Sequence, residues 1–168
     1  MGGAVALDYG LVYPETISGV ITSAPGIGEI GIPKYLFPVA WILNYLYPRF
    51  SMENPMEGGL VSRDEEWIKF MLDDPLSHGR GTARFLWELK KTGERVRQQA
   101  GNWQLPLLLL HGTADGMASI TASRIFFNKL TYPDLKFIEY EGAYHETHND
   151  IIKDQVFADV ENWLEVHI

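Results

Sequence analysis

The sequence predicts an α/β fold with parallel strands and flanking helices, and three features point there. From residue 105 onward, strand-like and helix-like segments alternate, an order that implies right-handed crossovers and a parallel sheet. Residues 105–111, Leu-Pro-Leu-Leu-Leu-Leu-His, form the continuous apolar run of a strand covered on both faces. The chain has 168 residues, 46% hydrophobic and 21% charged, enough for one sizeable core and unlike a disordered composition.

Each element has its own local cause. Residues 3–13 read as a helix, with Val5, Leu7, Leu11 and Val12 set among small residues and Pro14 closing the segment. Residues 17–24 are short, rich in β-branched side chains and ended by Pro25-Gly26, the pattern of a buried strand. From about residue 26 to 81 the pattern changes to many Gly and Pro with crowded aromatics, an excursion from the regular layers. Residues 82–99 return to a helix whose stripe is Phe85, Leu86, Leu89 and Val96. Strand 105–111, helix 118–130, strand 135–140 and helix 151–166 complete the order. The last helix turns Ile152, Val156, Val160, Trp163 and Leu164 inward.

Composition excludes several function classes. The 14 basic and 22 acidic residues give a net charge of −8, which disfavours nucleic acid as a partner. Absent cysteines rule out disulfides, a thiol nucleophile and thiolate zinc sites. The start has no basic region of a secretory signal, and the uncharged stretch 35–48 is too short to span a bilayer. A soluble, cytoplasmic protein is expected.

In parallel sheets, chemistry collects beyond the carboxyl ends of the strands, here after Ala24, His111 and Tyr140. Two side chains stand out. Asp115 follows strand 105–111 through a Gly-Thr-Ala turn, where a carboxylate can orient an imidazole or simply cap a turn. His145 follows strand 135–140 through Gly142-Ala143, as a general base or as a solvated loop histidine. The order acid then base, after successive strands, is that of a hydrolytic triad whose serine lies upstream. None of the seven serines has Gly at both flanking ±2 positions, so the chain contains no Gly-x-Ser-x-Gly elbow. Met1-Gly2-Gly3-Ala4 before a helix matches the half of such an elbow that lies after the serine.

Rival motifs fare worse. The Gly26-Ile27-Gly28-Glu29-Ile30-Gly31 string matches a dinucleotide fingerprint in letters, but Pro33 and Pro38 interrupt the helix it needs. His145-Glu146-Thr147-His148 spaces its histidines three apart rather than four, so no metal site is expected. His78 and His148 read as structural or surface residues.

The ordered set Met1-Gly2-Gly3-Ala4-Val5-Ala6-Leu7, Ser23-Ala24-Pro25, Asp74-Pro75-Leu76, Pro106-Leu107-Leu108-Leu109-Leu110-His111-Gly112-Thr113-Ala114-Asp115 and Tyr140-Glu141-Gly142-Ala143-Tyr144-His145-Glu146 resembles the C-terminal part of a capped α/β-hydrolase of the monoacylglycerol lipase and lysophospholipase group. The resemblance implies a partial α/β-hydrolase fold, with residues 1–26 and 82–168 as core and 27–81 as an inserted helical cap. It further implies Asp115 as triad acid, His145 as general base and the Met1 amide as an oxyanion donor. Tyr35, Phe37 and Trp41 would contact an acyl chain, and the nucleophilic serine would sit just before Met1.

The activity implied by the resemblance is that of a serine hydrolase acting through an acyl-enzyme on lipid-like esters such as monoacylglycerol or lysophospholipid, without cofactor or metal. The 168-residue chain alone is expected to be inactive. Peripheral membrane contact through the cap, and self-association through the open edge of strand 17–24, are the further expected partners. A non-catalytic binding or interaction module on the same fold is the alternative reading.

Overall fold

The computed structural model describes residues 1–28, 36–53, 60–77 and 79–167, without the side chains of residues 36, 37, 52 and 53. The N-terminal part holds helix α1 (Gly2–Val12), strand β1 (Val20–Ser23), helix α2 (Leu36–Leu46), strand β2 (Ser51–Glu53) and helix α3 (Glu65–Asp73). Strand β3 (Arg80–Thr82) and helix α4 (Ala83–Gln98) come next, then β4 (Leu107–Gly112), α5 (Ile120–Phe127), β5 (Leu135–Tyr140) and α6 (Lys153–Glu165).

The expected parallel sheet is present. Its order is β1-β4-β5, with Val20 opposite Leu107 and Leu107 opposite Leu135. The apolar run explains why β4 is central, since every residue of it is buried. Successive side chains leave opposite faces of a strand. Accordingly, Leu107 and Leu109 join Leu7 of α1, Val96 of α4 and Phe126 of α5 on one face. Leu108 and Leu110 join Val156 and Trp163 of α6 on the other. Burying each leucine contributes about 2 kcal/mol, so β4 is the main apolar anchor of both layers.

Several boundaries shift for local reasons. The predicted strand 17–24 shortens to Val20–Ser23, because Pro14–Thr16 forms a 3-10 turn and pairing begins only at Val20. The strand ends at Ala24, which takes a left-handed φ of 44° while its N–H still reaches the Leu110 carbonyl at 2.8 Å. Helix α4 begins at Ala83 because the Thr82 hydroxyl caps it, accepting from the Phe85 amide at 3.1 Å. Phe85, expected in the buried stripe, is exposed, and Ala83, Gly93 and Val96 supply the buried face instead.

The excursion is not purely helical. Besides α2 and α3 it contains the antiparallel ribbon β2-β3, pairing Ser51 with Thr82 and Glu53 with Arg80. Three-residue strands have no usable period, so these two leave no mark on the hydropathy pattern. Pro38 does not interrupt a helix either. It sits in the first turn of α2, where a missing N–H costs no helical bond. Among the described residues, no helix is long and apolar enough to cross a membrane.

Candidate active site

The turn after β4 and the turn after β5 are built as one unit. The Thr113 amide donates to the Tyr140 carbonyl (2.9 Å), the Ala114 amide to the Ala143 carbonyl (3.0 Å), and the Gly142 amide to the Thr113 hydroxyl (2.8 Å). Gly142 takes φ +67°, a backbone state that an L side chain would strain. At Gly112 the second loop crosses directly over the first. A Cβ there would lie 2.6 Å from the Ala143 carbonyl carbon and closer still to the Ala143 and Tyr144 carbonyl oxygens. The absent side chain therefore lets the His145 loop settle on the end of β4.

This crossing brings the two predicted residues together. His145 Nδ1 lies 2.9 Å from Asp115 Oδ2, with the carboxylate fully buried and the imidazole about one-fifth exposed. The carboxylate divides its work between its oxygens. Oδ1 accepts from the amides of Met117 (2.7 Å) and Ala118 (2.9 Å), while Oδ2 faces His145. Asp115 thus caps the turn with one oxygen and faces the His145 imidazole with the other.

A residue that sequence reasoning missed completes the set. His111, fully buried at the end of β4, places Nε2 at 3.1 Å from the same Oδ2 and 3.3 Å from the Ala118 carbonyl. Since Nε2 faces only acceptors, it carries the proton, and Nδ1 accepts from the Ser123 hydroxyl at 2.9 Å. The only available signal was a polar residue closing an otherwise apolar buried strand. By the same logic His145 holds a proton on Nδ1 toward Asp115.

The carboxylate is held ionised. Burial pushes the Asp115 pKa up, but donors from His111, His145 and the Ala118 amide outweigh it and hold the group well below the usual carboxylate range. Asp150, also opposed by burial, is lowered by the Arg63 guanidinium and by amides. Groups lowered in the folded state stabilise it fully above the unfolded carboxyl value, near pH 4, and lose that contribution as pH falls through the folded value. Stability to urea should therefore drop steeply below about pH 4. A profile that stays flat down to pH 3 would contradict these assignments.

The start of α1 lies at the same end of the sheet. Gly3 packs against Thr22 and Pro25 at the carboxyl end of β1. The neighbouring Ser23 hydroxyl meets that of Thr147, two residues past His145, at 3.1 Å. Burial lowers the pKa of the Met1 amine.

The remaining predicted positions differ in outcome. Trp41 lies on α2, half exposed, edge-on to Tyr45 at 5.4 Å between ring centroids. Tyr35, the side chain of Phe37 and His78 lie outside the described residues, as do Glu29 to Gly31 of the glycine-rich string. Gly28 of that string packs against Ser119 and Ala122, and His148 is exposed. Among the described residues, no cluster of His, Asp and Glu is arranged to hold a metal ion.

A family model described as "Serine aminopeptidase, S33" matches residues 1–152. The chain belongs to this family. As a member of the serine aminopeptidase family it carries part of the α/β-hydrolase fold of the acylglycerol lipase and esterase group. It is 31% identical over 170 residues to the monoacylglycerol lipase of Mycolicibacterium smegmatis, covering 100% of this chain and 60% of that protein. It is also similar to the caffeoylshikimate esterase of Arabidopsis thaliana, 28% identical, covering 98% of this chain and 52% of the relative. The crystal structure of Paleococcus ferrophilus monoacylglycerol lipase superposes with a TM-score of 0.95 at 29% identity, over 99% of this chain and 65% of that one. The chain thus spans just over half of the length of these two curated relatives.

Proposed function

We propose that the chain contributes the acid and the base of a serine ester hydrolase acting on lipid-like esters, monoacylglycerols or lysophospholipids, through an acyl-enzyme. The observation that carries this reading is the 2.9 Å contact between His145 Nδ1 and the buried, ionised Asp115. In this reading Asp115 fixes the imidazole tautomer and stabilises the imidazolium. His145 Nε2 takes the proton of a serine hydroxyl and later returns it to the leaving alcohol. The nucleophile belongs to a Gly-x-Ser segment leading into Met1, whose amide would then be an oxyanion donor at the start of α1. Support comes from the packing of Gly3 beside Pro25 and of Thr147 beside Ser23, which gathers α1 and the His145 loop at one strand end.

Residues 27–81 act in this proposal as the cap, with Tyr35, Phe37 and Trp41 along the acyl path. The exposed apolar side chains of α2, Trp41, Ile42, Tyr45 and Leu46, favour an apolar substrate or a lipid surface over a charged one. The β1 edge is the place where a further strand would pair. Similarity to both a lipase and a caffeoylshikimate esterase makes ester cleavage the shared expectation and leaves the acyl group to experiment.

The test compares two proteins, this 168-residue chain and the same chain restored with an upstream half that supplies the first strands, the second oxyanion loop and a Gly-x-Ser elbow. A serine-directed fluorophosphonate should leave the first unlabelled and label the second, which should also hydrolyse a monoacylglycerol. Stoichiometric labelling of the shorter protein, or a folded but inert longer one, would overturn the proposal.

A further inference from the structure

The two backbone neighbours of His145 are tied to a segment remote in sequence, residues 61–67, one directly and the other through Asp150. On one side, the Glu146 amide donates to the Val61 carbonyl at 2.8 Å. On the other, the Tyr144 amide donates to Asp150 Oδ2 at 3.4 Å, and Asp150 is itself gripped by Arg63. That grip has three parts: the Arg63 amide to Oδ2 (3.1 Å), and Nε (2.9 Å) and a terminal guanidinium nitrogen (2.6 Å) to Oδ1. Asp150 is fully buried, so its charge has no recourse to water when the guanidinium leaves.

Further bonds stitch the same two stretches. Trp67 Nε1 donates to Glu146 Oε2 at 2.9 Å, and the Ser62 hydroxyl to the Asn149 carbonyl at 2.8 Å. Val61 and Ser62 are almost wholly buried, and Asp64 both caps α3 and meets Lys153 at 3.1 Å. The loop is thus fixed from the excursion as well as from β4.

We infer that Arg63 and Trp67 are positioning residues for His145, so that the seat of the imidazole on Asp115 depends on where segment 61–67 lies. The inference rests on the reading of His145 as the base. It couples the excursion that carries α3 to the proton-transfer group: displacing the segment withdraws the Val61 carbonyl and the Arg63 fork together, freeing residues 144–150 to swing.

The experiment follows amide exchange and the His145 Nδ1 proton by NMR in the purified protein. Arg63→Gln should speed exchange of the Tyr144 and Glu146 amides about tenfold or more and weaken the Nδ1 proton signal. The Leu108 and Leu110 amides of β4 should keep their protection. Arg63→Lys, which keeps the charge but not the fork, should recover part of the effect. Where Arg63→Gln exposes β4 as well, Trp67→Phe decides: it removes one donor to Glu146 and should speed that amide severalfold with β4 intact. Unchanged exchange at Tyr144 and Glu146 and an unchanged Nδ1 signal in these variants overturn the inference. Asp115→Asn separates it from the catalytic reading, since it should abolish the Nδ1 signal while leaving both amides protected. An Nδ1 proton indifferent to Asp115→Asn sinks the catalytic reading, while the exchange data still judge Arg63.

Discussion

In the proposed hydrolase, this chain restored with an upstream half bearing a Gly-x-Ser elbow, Asp115→Asn should lower ester turnover by about four orders of magnitude with little loss of stability. The reason lies in where the proton sits along one bond of 2.9 Å. A carboxylate at Oδ2 only accepts, so His145 carries its proton on Nδ1, and in the proposed mechanism Nε2 is the base. The amide of Asn can turn an NH₂ toward Nδ1, which then accepts, and the proton moves to Nε2, where it blocks removal of the serine proton. The loss should fall on kcat rather than on KM, because the exchange touches the proton path and not the substrate. Steady-state hydrolysis of a monoacylglycerol, with circular dichroism to verify folding, provides the check. Activity within tenfold of the parent would return Asp115 to a turn-capping role alone. His145→Gln should cost more, since it removes the base itself and not the group that orients it.

Gly112→Ala should cost about 3 kcal/mol of folding stability, large for the addition of one methyl group. The methyl would sit 2.6 Å from the Ala143 carbonyl carbon and nearer to two carbonyl oxygens, all of them main-chain atoms that no rotamer change can remove. Relief requires the loop carrying His145 to lift off β4. That movement breaks the Ala114 amide bond to the Ala143 carbonyl and draws the imidazole away from Asp115. Urea denaturation would register the stability loss, and the restored hydrolase would lose turnover even where the variant remains folded. A Gly112→Ala protein with the parent's urea midpoint would show that the loops do not cross as tightly as described.

The path from sequence to site was uneven, for physical reasons. Strand β4 was legible because four consecutive leucines leave no polar face for water. Asp115 and His145 were legible because each lies just past such a strand, beyond a few small residues. Arg63, Asp150, Trp67 and Glu146 were not, since an ion pair bridging 87 positions leaves no trace in local periodicity. The β2-β3 ribbon escaped for a related reason, its three-residue strands being fixed by each other rather than by their own pattern.

By itself, the sequence determined which segments are apolar enough to be buried on one or both faces. It also determined the order acid then base, and the absence of an elbow serine among its residues. The tertiary structure alone decided that the two loops cross at Gly112, that one carboxylate oxygen faces two imidazoles, and that segment 61–67 is bonded to Glu146 and Asp150 of the histidine loop. Burial is written in side-chain chemistry along the chain, whereas a hydrogen bond between distant residues depends on where the packed core carries its ends.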